Sequence, residues 1–221
     1  ALKANTTGAR NTAIGYESLT SNTTSADSIA IGYQALYTGT ALTQQLAIGN
    51  QVFIGHEAAY TNTTGNSNVA IGHRVFRSNT TGSSNTAIGL GALKTNTTGS
   101  NNTAVGTNAL MSTTTGSHNC AVGLQALYGC STGIDNVAVG KQALQDITTG
   151  GNCIGIGLDA GRSGSPSGAI STDSNRICIG NNSHADAFIK VSFTVTSDAR
   201  DKTDIQDFNH GLSWIKKLRP V

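Results

Sequence analysis

One sequence feature limits what this chain can fold into more than any other: a glycine preceded by an apolar pair returns at a fixed interval. It stands at Gly15, Gly32, Gly49, Gly72, Gly89, Gly106, Gly123, Gly140, Gly157 and Gly180. The interval is 17 residues except between Gly49 and Gly72 and between Gly157 and Gly180, where it is 23. Both exceptions equal one repeat plus six residues, so each reads as an insertion that keeps the phase, the first of them holding an extra Phe53-Ile54-Gly55. A short strict period means that each repeat is one unit whose apolar face is covered only by its neighbours in a stack. Composition agrees: 12% of residues are charged, 5% are aromatic and 27 are glycine, too little bulk for a thick globular core. Disordered chains share such compositions but do not hold apolar residues in phase. The expected fold class is all-β, a parallel β-roll or β-solenoid of 17-residue coils over residues 1–180.

The consensus coil is Asn-Thr-Ala-Ile/Val-Gly, two variable residues, Ala-Leu, two more variable residues, Asn-Thr-Thr-Gly and two polar residues. Alternation along a strand sets Thr12 and Ile14 on one face and Ala13 on the other. Bulk suits a core, so Ile14, Ile31, Ile71, Ile88, Val105 and Val122 are expected inside the chain's own coil. There they would meet the leucines of Ala-Leu (Leu36, Leu93, Leu110, Leu127, Leu144) across its narrow width. Ala13, Ala87 and Ala104 are then left to face partner chains, although the pattern alone leaves the reverse assignment open. Glycine after Ile or Val permits a sharp bend. Asn-Thr-Thr-Gly at 62–65, 79–82 and 96–99 is turn chemistry whose side chains would form ladders on stacking. The same triplets match a glycosylation acceptor pattern, a match the repeat explains without any sugar.

A formal net charge of +2, with no basic run before Lys216-Lys217, argues against nucleic acid or an acidic membrane surface as partner. No apolar run approaches the ~18 residues of a membrane span and no charged-then-apolar leader opens the chain, so no membrane insertion and no signal peptide are expected. Cys120, Cys130, Cys153 and Cys178 fall at different repeat phases; stacking pairs none of them, and free thiols of a reducing cytosol are expected. Without Cys-x-x-Cys, a Walker-type loop or a calcium-binding Gly-Gly-x-Gly-x-Asp repeat, no metal and no other cofactor is expected. Glycoside hydrolysis needs two carboxylates in one place, and Glu17, Asp27, Glu57, Asp135, Asp146 and Asp159 read as sharing no phase. His56 and His73 each follow a glycine and are expected to stack as solvated ladder members. Tyr16, Tyr33, Tyr37, Tyr60 and Tyr128 are either sugar-stacking platforms or ordinary packing residues. The Thr-Thr pairs sit in turns, not on a flat strand face, which speaks against ice binding.

Asn-Val-Ala-Ile-Gly at 68–72 and its relatives resemble the Asn-Ser-Val-Ala-Ile-Gly repeats in the heads of trimeric autotransporter adhesins of the YadA type. Those heads are left-handed parallel β-rolls assembled as trimers, so the resemblance, which covers most of the chain, implies a homotrimer. Similar Asn-Thr-Ala-Ile-Gly units occur in repetitive segments of phage tail fibres. Beyond Gly180 the repeat stops, and residues 181–196 read as an exit strand and linker in which Phe188 to Thr196 alternate. Ser197-Asp198-Ala199-Arg200-Asp201-Lys202 resembles the opening Ser-Asp-x-Arg-x-Lys motif of the self-cleaving intramolecular chaperone domain that ends phage tail spikes and fibres. Ile205, Phe208, Leu212, Ile215 and Leu218 follow at helical spacings, with Asn209 as a cap and Pro220 as a stop. They predict a short C-terminal helix within 197–221, the truncated start of that domain.

The resemblance implies single-turnover self-cleavage between Thr196 and Ser197, with Ser197 attacking its own preceding carbonyl and Lys202 as the general base. A lysine accepts the hydroxyl proton only if burial lowers its pKa; Asp198 and Arg200 would hold the loop or pair between chains. Near-identical coils cannot set their own register, and a terminal trimerising domain would set it for them. The implied protein is a structural, receptor-binding segment of a trimeric phage fibre, without activity on external substrates, assembled in the host cytoplasm and located in the virion. Its partners would be its own copies, other virion tail or fibre proteins and a host surface glycan or protein. The head of a bacterial trimeric adhesin and a polysaccharide-degrading tail spike are the alternatives.

Overall fold

The computed structural model describes residues 1–37, 50–163, 165, 168–181 and 183. Among the described residues of 1–185 every Thr-Ala-Ile-like segment is a short strand: β1 Thr12–Ile14, β2 Ser28–Ile31, β3 Gln51–Ile54, β4 Val69–Ile71, β5 Thr86–Ile88, β6 Thr103–Val105, β7 Cys120–Val122, β8 Val137–Val139, β9 Ile154–Ile156 and β10 Ile177–Ile179. They form one ten-stranded sheet in sequence order, every pairing parallel. Ala87 lies opposite Ala104 and Ile88 opposite Val105, one coil apart. The fold is the parallel β-solenoid expected from the period. At about 4.8 Å per strand the sheet extends for roughly 43 Å.

The first insertion lies elsewhere than the glycine alignment suggests. β3 pairs with β2 through Ala30–Phe53 and with β4 through Phe53–Ala70, so Gly55, not Gly49, stacks between Gly32 and Gly72. The six extra residues therefore precede β3, and Gly49 lies outside the described residues. Ala47-Ile48-Gly49 is the closer match to the consensus, but packing makes the true phase intelligible. Phe53 occupies an alanine position, and the leucine position of the same coil holds Ala59; both are fully buried. Bulk moved from one wall of the coil to the other.

The two sheet faces are the reverse of the expected assignment. Ala30, Ala70, Ala87, Ala104, Ala121 and Ala138 are fully buried, whereas Ile88, Val122, Val139 and Ile156 are 38–44% exposed. Ala104, not Val105, faces the interior, and Leu93, Leu110, Leu127 and Leu144 pack there with the alanines. The expectation of Ile meeting Leu is thus overturned. A single turn of chain encloses so little width that an alanine methyl against a leucine fills it. β9 marks the limit, because a methyl added at Gly155 would sit 2.5 Å from Leu144 Cγ. The leucines reach this position through left-handed backbone, with φ of 49° to 51°. That conformation costs an L-residue about 1–2 kcal/mol, and burying the leucine returns about 1.5–3 kcal/mol.

Two asparagine ladders close the coil. In the turns, Asn79 and Asn96 each donate Nδ2 both to the glycine carbonyl three residues on (3.0 Å) and to the asparagine one coil back. The asparagine before each strand does more: Asn102 Oδ1 accepts from Asn119 N (3.0 Å) and Nδ2 (3.1 Å), while Asn102 Nδ2 donates to Gly116 O (2.8 Å). Asn62, Asn79 and Asn96 are buried, so the acceptor-like triplets there are structural. The glycine after each strand is needed for its bend and for close stacking. Gly106 has φ +135°, and a Cβ there would meet Gly123 O at 2.5 Å. The predicted exit strand at 188–196, the C-terminal helix, and Thr196, Ser197 and Lys202 lie outside the described residues.

Candidate functional site: an aromatic and basic wall

The residue following each strand glycine leaves the sheet and stacks on its equivalent one coil away. After β1 to β4 these residues are Tyr16, Tyr33, His56 and His73, with ring centroids 5.4, 5.1 and 5.0 Å apart and planes within 22° of parallel. The stacking expected for His56 and His73 is present, and two tyrosines extend it. In such a column each ring covers its neighbour's face, which leaves mainly edges to solvent. Tyr16 is 64% exposed.

Four residues further along each coil comes a second row: Tyr37, Tyr60, Arg77 and Lys94. Tyr37 and Tyr60 lie 5.0 Å apart, and the Arg77 guanidinium sits 5.0 Å above the Tyr60 ring, a cation–π contact. Glu57 links this row to the next. Its Oε2 accepts hydrogen bonds from Arg77 Nε (2.7 Å) and Arg74 Nε (3.0 Å). The carboxylate is sunk, with 12% of its side chain exposed, while Arg74 and Arg77 show 49% and 36%. Burial raises the Glu57 carboxyl pKa, but the hydrogen bonds and charges of Arg77 and Arg74 outweigh it and hold the group below its ordinary value. Burial also raises the Tyr60 phenol, and the neighbouring Glu17 raises that of Tyr16.

Lys94 has no ion pair among the described residues, and no carboxylate occurs in the sequence between Glu57 and Asp135. Three cations against one carboxylate leave this wall with an excess of +2, equal to the formal net charge of the whole chain. Sequence reasoning missed Arg74, Arg77 and Lys94. The signal was the long carboxylate-free stretch, which becomes a patch only once the coils are stacked.

The carboxylate phases need correcting as well. With Gly55 as the repeat glycine, Glu17, Glu57 and Asp159 occupy one column, and Gln34 lies between the first two, donating Nε2 to Glu17 Oε2 (2.7 Å). Asp146 and Asp159 both reach Arg162, at 3.7 and 2.9 Å. One guanidinium ties the pair together. Cys120 is half-buried and Cys130, Cys153 and Cys178 are buried, all four free; burial pushes the Cys130 thiol up to about 11. His118 approaches Asp135 at 3.9 Å on an exposed edge. Among the described residues no three His, Cys, Asp or Glu side chains gather as a metal site, and no helix is long and apolar enough to cross a membrane. Compared with protein-family models, curated proteins and solved structures, the chain matches none.

Proposed function

We propose that this chain is a structural and receptor-binding segment of a trimeric phage fibre, ending in a self-cleaving chaperone junction at Thr196–Ser197. The observation that carries the assembly is the outer sheet face. Ile14, Ile31, Ile54, Ile71, Ile88, Val105, Val122, Val139, Ile156 and Ile179 form one unbroken β-branched column along it. Leu90, Leu124 and Leu158, 42–52% exposed, extend the apolar surface past the bend. Strands about 10 Å long over roughly 43 Å make a face of about 400 Å², the size of the largest apolar patch on an ordinary monomer, which is often an interaction surface.

The occupant that best fits such a face is another copy of the chain. Side chains repeat along it at the coil spacing, and only a surface with the same spacing fills the gaps at every level. The fibre and the chaperone junction rest on the resemblance of the repeats and of Ser197 to Lys202, where Ser197 would attack the Thr196 carbonyl and Lys202 would take its proton. Virion location and the other tail proteins as partners rest on the same resemblance.

Native mass spectrometry tests the assembly. The chain should be a trimer, and a variant carrying Val105→Lys, Val122→Lys and Val139→Lys should keep its β-sheet circular dichroism while becoming monomeric. A monomeric wild type, or a trimeric triple variant, sinks this reading. The junction is tested separately by intact mass of the full gene product: a break before Ser197 should vanish in Ser197→Ala and Lys202→Ala.

A further inference from the structure

Resting on the receptor-binding reading above, we propose that the wall formed by Tyr60, Arg74, Arg77 and Lys94 is a binding site for an acidic polysaccharide whose sugars carry carboxylates. Three features of the wall lead there. Glu57 engages both arginines through Nε alone. The terminal guanidinium nitrogens are therefore held in place at the surface with donors left over, a ready fork for a second carboxylate. The Arg77 guanidinium is further fixed by the Tyr60 ring beneath it, so little side-chain freedom remains to be lost on binding.

Lys94 takes the position of Arg77 one coil on, about 4.8 Å away along the stack, which lets the two cations share one anionic group or follow successive ones. The tyrosines at Tyr60 and Tyr37 continue the same row in the other direction, offering phenol hydroxyls and ring edges to sugar hydroxyl and C–H groups. The row runs along the solenoid axis, the direction in which a polymer would have to lie to use all four residues. A low total charge makes duplex DNA the poorer fit. Nucleic-acid binders neutralise about 6–10 phosphates, and this wall offers three cations, one carboxylate already among them. Assembly into a trimer would present three such walls, so weak single-site affinity would multiply on a polymeric ligand.

The test uses the 221-residue chain and immobilised polygalacturonate, with its carboxyl-reduced, neutral counterpart and duplex DNA as comparison surfaces. Wild type should bind polygalacturonate, bind it less well as salt rises, and ignore the reduced polymer. Lys94→Gln, which breaks no ion pair among the described residues, should weaken binding about tenfold, and Arg77→Gln by at least as much. Arg10→Gln, at a different repeat position and paired with Asp27, should leave binding unchanged. Equal binding to the reduced polymer, binding to DNA as tight as to polygalacturonate, or an unaffected Lys94→Gln overturns the proposal. Native mass measured on the same samples separates the two readings. A trimer that ignores polygalacturonate overturns this inference and leaves the assembly standing; a monomer that binds it does the opposite.

Discussion

Asn102→Ala is the substitution that best measures what holds one coil on the next. The Asn102 side chain makes three hydrogen bonds: Nδ2 donates to Gly116 O, and Oδ1 accepts from the backbone and side-chain nitrogens of Asn119. Asn119 Nδ2 keeps a second acceptor in Gly133 O at 2.8 Å, so its loss is partial. Gly116 O and Asn119 N have no such alternative. Asn102 and Asn119 are each 1% exposed, which keeps water from replacing the missing side chain. A buried backbone group left unpaired costs about 1–3 kcal/mol, so the two together predict a loss of about 2–6 kcal/mol. Stacked repeats need not unfold in one step, and the local readout is therefore the decisive one. Amide exchange at Asn119 should accelerate by at least about tenfold, together with a lower urea midpoint. Exchange at Asn119 no faster than in wild type, with the midpoint unmoved, would refute the account of these asparagines as the bonds between coils.

Three further outcomes follow from the geometry. Because Arg77 and Arg74 hold the Glu57 carboxyl below its ordinary value of 4.5, its contribution is complete above that pH and is lost as the pH falls through the lowered value. Acid unfolding of wild type should therefore converge on that of Glu57→Gln below about pH 4.5; parallel curves would refute the linkage. Ser84 is exposed with φ +57° and keeps its amide bond to Asn66 O whatever its side chain. Ser84→Gly should raise stability by about 0.5–1 kcal/mol, the left-handed penalty relieved less the entropy glycine loses, and a lower denaturation midpoint would contradict this. In thiol labelling at neutral pH, Cys130, with its pKa near 11, should stay unreacted in the folded chain. Cys120, on the outer sheet face, should react in the monomeric lysine variant and be protected in wild type; equal labelling would count against burial of that face.

Much of the architecture was legible before any coordinates, because the repeat is a local property. Glycine spacing, Asn-Thr-Thr-Gly turns and alternation in Thr-Ala-Ile are written along the chain, and they were enough to specify a parallel solenoid and the stacking of His56 on His73. The first insertion was misplaced because Ala47-Ile48-Gly49 and Val52-Phe53-Ile54-Gly55 both satisfy a pattern defined by glycine and apolar neighbours. What separates them is the complementary pair Phe53 and Ala59, a relation across the coil. The wall of Arg74, Arg77 and Lys94 escaped notice for a related reason. Positions 17 or 20 residues apart look unrelated until stacking makes them neighbours, as the bonds from Arg74 and Arg77 to Glu57 illustrate.

The sequence by itself determined that this protein is a stack of like coils, which residues recur at each level, and that Thr, Ile and their equivalents share one side of every strand while Ala takes the other. Only the tertiary structure decided which side is the inside. Alternation with period two is symmetric between the two faces and says nothing about where the remainder of the coil will lie. The width of the closed loop breaks that symmetry: one turn of chain leaves room for an alanine methyl against a leucine, and the β-branched column is left on the outer face.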